Sequence, residues 1–136
     1  MNKNVEQIIY NDKVLAYVVR TTVIDNLDST LFITPGTTSL QVGVSVHKAG
    51  SEIVRHEHLP IVREIFGTSE VVFVKEGKCI VDIYTSNREL VASPELSSGD
   101  VIVLIDGGHG FRMLENTNLF EVKQGPYAGE KDKERW

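Results

Sequence analysis

Apolar residues in this chain come in short runs rich in Val and Ile, each closed off by Gly, Asn, Asp, Ser or Pro. Such punctuation leaves few stretches long enough for a packed helix and many suited to strands of four to eight residues, so an all-β architecture is expected. The clearest case is residues 40–47, which alternate strictly. As a strand this segment would turn Leu40, Val42, Val44 and Val46 to one face and Gln41, Ser45 and His47 to the other. Residues 71–74, then Lys75-Glu76-Gly77-Lys78, then residues 79–84 read as a strand, a tight turn and its returning partner. Further strands are expected at 14–19, 31–34, 89–92, 101–105 and 119–123, with connectors at 26–29, Pro35-Gly36, 85–88 and 97–100. So many short strands suggest a sandwich or a barrel, and closure would remove exposed sheet edges.

The chain has 136 residues, which suits a single domain. Its 41% hydrophobic and 24% charged residues are the balance of an ordinary globular protein. A formal charge of −5 withholds the positive field that nucleic-acid backbones and anionic lipids select, so neither nucleic acid nor membrane is an expected partner. The first residues lack the apolar run of a signal peptide and no later stretch reaches the roughly 20 apolar residues of a membrane span, which makes the cytoplasm the expected compartment. Cys79 is the single cysteine; it cannot close an intrachain disulfide and reads as a small core residue.

The residues that carry chemistry are histidines and acids. His56-Glu57-His58, if extended, sets two imidazoles on one face with the spacing of a chelate. Glu70 opens the strand that follows and shares its phase with Val72 and Val74, so it faces inward, where a carboxylate must be neutralised or find a cation. His109 stands between Gly108 and Gly110, which let the backbone bend and present the imidazole to a cavity. Glu64 competes with Glu70 as the carboxylate. Arg63 and Tyr127 are candidate substrate-binding residues: the planar guanidinium of Arg63 suits a carboxylate or phosphate, although a structural ion pair or a solvent-facing position is its other reading. Lys123 and His47 are lesser candidates, the second as an exposed or supporting residue.

These residues resemble the two-motif pattern of the cupin superfamily. Gly50, five residues, His56-x-His58, Glu70, six residues and Gly77 reproduce the first motif with a stretched gap before Glu70. Gly99 and Asp100 open the second and His109 closes it one residue early, with Ile105 where proline is common and no Asn in register. The resemblance implies a cupin-type double-stranded β-helix, a jelly-roll barrel formed by residues 1–136 as one domain, with its motif core at 50–116 and a charged, solvated or loosely docked tail from about 129 to 136. It also implies a metal held by His56, His58, Glu70 and His109, and a homodimer. Residues 63–70 and 123–129 look like those of small cupins associated with bacterial polysaccharide and sugar-biosynthesis clusters. Three imidazoles and a carboxylate suit one divalent transition metal, Fe, Mn, Ni, Co, Zn or Cu, better than Ca or Mg.

The function this implies is that of a metal-dependent enzyme of isomerase or dioxygenase type, acting on a small polar substrate such as a sugar derivative or an organic acid. The alternatives are a non-catalytic metal-containing module that binds a sugar or effector, and a metal-free cupin with structural histidines. No residue stands out as a separate general base.

Overall fold

The structure is a computed structural model that describes residues 2–136. The chain divides into two compact units, one comprising the residues up to Val23 together with Thr68–Trp136, the other Ile24–Gly67.

The larger unit is β-rich. It contains β1 (Val5–Tyr10), β2 (Lys13–Val19), β5 (Glu70–Glu76), β6 (Lys78–Tyr84), β7 (Leu90–Ala92), β8 (Glu95–Ser97), β9 (Val101–Leu104), β10 (Gly108–Met113) and β11 (Asn118–Lys123). The smaller unit holds β3 (Leu31–Phe32) and β4 (Gly43–Val44). In the larger unit the strands form two antiparallel sheets, one in the order β1-β2-β9-β5-β11 and one in the order β10-β6-β7 with β8 also paired to β6. Val18, Val72, Val74, Ile102 and Leu104 from the first sheet meet Cys79, Val81, Ile83 and Leu96 from the second in one buried cluster. The two sheets therefore pack face to face, as the period-2 placement of β-branched residues requires. No closed barrel is found among the described residues. Strands β10 and β11 each have a paired neighbour on one side only, and residues 45–67, including His56-Glu57-His58, form no strand.

Residues 71–74 and 79–84 are strands as expected, but they are not partners in a hairpin. β5 pairs with β9 and β11, and β6 with β7, β8 and β10. The short link between them is a crossover from one sheet to the other, turning at Gly77 with φ +97°. A Cβ there would collide with the Asn116 carbonyl and with Thr117, so both backbone freedom and space demand glycine. The turn before β9 is tied by Asp100, which accepts hydrogen bonds from the Ser97 and Thr21 amides at 3.0 and 2.9 Å and from the Arg20 guanidinium at 3.2 Å. Cys79 is fully buried, and burial pushes its thiol above the usual range.

In the smaller unit, Leu31 pairs with Val44 and Phe32 with Gly43, and the Thr34 hydroxyl accepts from the Val42 amide at 2.9 Å. The alternation of residues 40–45 survives as half-buried Leu40, Val42 and Val44 beside exposed Gln41, Gly43 and Ser45, although only Gly43–Val44 are strand. Beyond it the chain is exposed from 45 to 67. Among the described residues no helix is long and apolar enough to cross a membrane.

Candidate metal site

Glu70 is the first residue of β5, between Leu104 of β9 and Lys123 of β11. It lies on the face that carries the fully buried Val72 and Val74, and its side chain is 16% exposed. His109 lies on β10 opposite Ile83 of β6. The sequence expectation of a bent glycine loop gives way here to regular strand: Gly108 and Gly110 pair with Tyr84 and Asp82 within the ladder. The bend sits one residue earlier, at Gly107, where φ is +77° and a Cβ would strike the Tyr84 carbonyl.

The two sheets thus deliver Glu70 and His109 to each other, with His109 Nε2 3.3 Å from Glu70 Oε2. The hydrogen bond from His109 holds the Glu70 carboxyl below its usual range against the opposing effect of burial, and the charges of His109, Lys123 and Lys133 add to the lowering. An ionised carboxylate beside an imidazole nitrogen becomes a pair of metal donors once Nε2 gives up the proton it shares with the carboxylate. Two bonds of about 2.0–2.2 Å meeting at tetrahedral or right angles place their donor atoms about 2.8–3.6 Å apart. The observed separation falls in that interval.

His56 and His58 lie in the smaller unit with ring centroids 5.4 Å apart, both exposed. His56 Nδ1 is 2.8 Å from the Val54 carbonyl. A carbonyl only accepts, so Nδ1 is the donor in this contact and Nε2 is the nitrogen that faces away from it, which is how a backbone carbonyl commonly orients a metal-binding histidine. The four sequence candidates are therefore present as two pairs, each within its own unit. Among the described residues no group of three or more His, Cys, Asp and Glu side chains is placed to hold a metal.

Of the remaining candidates, Glu64, Arg63 and His47 are exposed outside regular structure. Tyr127 is 87% exposed in the turn after β11. Lys123 stands beside Glu70 on the neighbouring strand. Sequence reasoning did not find two polar groupings. Asp82, on β6, accepts from Arg112 Nε and Nη2 at 2.7 and 2.9 Å and from the Ser93 hydroxyl at 2.6 Å. Trp136 meets Tyr84 edge-to-face at 5.5 Å between centroids and lies under the Arg88 guanidinium at 4.9 Å. A single Trp closing a run of charged residues was the one signal for the second grouping. No family model, no curated protein and no solved structure matches this chain.

Proposed function

We propose that this chain is a cupin-type metal protein in which His56, His58, Glu70 and His109 hold one divalent transition ion. The observation that carries the reading is the Glu70–His109 pair, two donors 3.3 Å apart at the ends of strands from different sheets. His56, its Nε2 facing away from the Val54 carbonyl, beside His58 supports it from the smaller unit. Support for the cupin fold comes from the chain's repeated crossing between the two sheets, from β5 to β6, from β8 to β9, from β9 to β10 and from β10 to β11, as in a jelly roll.

Bound there, the ion would act as a Lewis acid toward a carbonyl or hydroxyl of a small polar substrate, a sugar derivative or organic acid, in an isomerase or dioxygenase type of reaction. The chain's own part is distinct. Glu70, kept ionised, supplies negative charge to a cationic centre. Lys123, beside it on β11, offers a cation to an anionic group of the substrate. In this reading the protein works as a homodimer in the cytoplasm.

The test is metal content in the purified protein and in His56→Ala, His58→Ala, Glu70→Gln and His109→Ala. We expect about one equivalent in the parent and a loss of at least tenfold in affinity for each variant, since each removes a direct ligand. Full retention in all four would sink the assignment. Saturable sugar binding without turnover, in air and under nitrogen, would make the protein a binding module.

A further inference from the structure

The charged tail does more than trail into solvent. A short 3₁₀ turn, Gly129–Asp132, brings the Asp132 carboxylate within 2.8 Å of the Thr68 hydroxyl, two residues before Glu70. Lys133, next along, is one of the cations whose charge reaches Glu70. Glu134 pairs with Arg88 at 3.1 Å. Trp136 then settles against Gly108, the residue before His109, so closely that a Cβ at that position would overlap the indole. The tail is fastened near Glu70 at one end and near His109 at the other, with the pair's own electrostatic neighbour between the two points.

The receiving surface is built for this contact. Arg88 adopts φ +69° in the turn between β6 and β7, a left-handed conformation that is unfavourable for a non-glycine residue. From there its guanidinium reaches both the Trp136 ring and the Glu134 carboxylate. Gly107 and Gly108 leave the space that the Tyr84 carbonyl and the indole fill.

We propose that residues 129–136 form a strap across the Glu70–His109 end of the β unit, and that Trp136 is a positioning residue which, by bearing on Gly108, holds His109 in register against Glu70. The strap itself stands on these contacts; its effect on metal holding rests on the site proposed above.

The test compares Trp136→Ala and Trp136→Phe in the full chain, with amide hydrogen exchange of residues 108–111 measured without metal and zinc affinity measured by calorimetry. Trp136 is the single tryptophan, so quenching of its fluorescence by acrylamide in the parent reports strap docking directly. Trp136→Ala is expected to speed exchange at 108–111 and to weaken zinc binding by about tenfold, the usual effect of losing a residue that orients a ligand. Trp136→Phe should restore most of both. Should Trp136→Ala fail to fold, Glu134→Ala and Asp132→Ala, which release the strap from exposed positions, carry the same comparison. Exchange at 108–111 unchanged in the folded variants overturns the strap. Absence of zinc binding in the parent removes the metal site but leaves the exchange measurement decisive for the strap.

Discussion

Asp82 and Arg112 show what a single ion pair does in this protein. Arg112 grips the carboxylate with two nitrogens and Ser93 adds a hydroxyl, so the Asp82 carboxyl is pulled down to about 2 from an ordinary 3.8. The Asp82 side chain is 12% exposed while that of Arg112 is 58% exposed, so solvent screens part of the attraction. Because the folded state depresses this pKa, the stabilisation is complete above the unfolded value and is lost as pH falls from about 4 through about 2. Asp82→Asn should lower the unfolding temperature at pH 7 by a few degrees and flatten the acid limb of stability against pH, as followed by circular dichroism between pH 7 and pH 2. An acid limb identical to that of the parent would show that the pair contributes nothing to the folded state.

At the scale of elements, Gly77 governs how β5 and β6 are used. With φ +97° and no room for a Cβ beside Asn116 and Thr117, Gly77→Ala combines backbone strain with a steric clash. It should cost roughly 2–4 kcal/mol in denaturant-induced unfolding, against near neutrality at Gly125, where the same atom meets open space. Gly77 also marks the boundary of what the sequence reveals. The strands at 71–74 and 79–84 were legible because apolar β-branched residues announce extended chain. Their partners were not, because a Gly turn looks the same whether it returns the chain to its own sheet or sends it to another. β10 was missed since Gly108 and Gly110 read as loop, yet the ladder with β6 and the contact with Trp136 override their weak strand preference. The strand expected at 40–47 shrank to Gly43–Val44, although its alternation persisted. Within the site, the phase of Glu70 was legible from Val72 and Val74. Its contact with His109 depends on two sheets meeting and has no local signal.

Across the molecule, burial is unevenly distributed. The larger unit holds the fully buried Val18, Val72, Val81 and Ile102, whereas from 51 to 66 Ile53, Val54, Leu59, Ile61, Val62, Ile65 and Phe66 are all at least 46% exposed. Backbone amides with few buried neighbours exchange freely, so residues 51–66 should exchange within seconds while β2, β5, β6 and β9 are protected. Under the metal reading, adding one equivalent of zinc should slow exchange around His56 and His58 specifically, because coordination fixes the backbone that carries the ligands. Mass spectrometry with and without zinc checks this, and no change at 53–60 would remove both histidines from the ligand set.

The sheet crossover at Gly77 has a bearing on synthesis. When β5 leaves the ribosome, neither of its ladder partners, β9 and β11, has been made, and β6 likewise waits for β7, β8 and β10. Apart from the β1–β2 hairpin and the pairing of β6 with the β7 and β8 that directly follow it, the nascent larger unit has little it can finish early. In the first sheet the Val-rich β2 and β5 keep an open edge until β9 has emerged, and β5 a second one until β11 has, so these strands are exposed to chaperone contact in the interval.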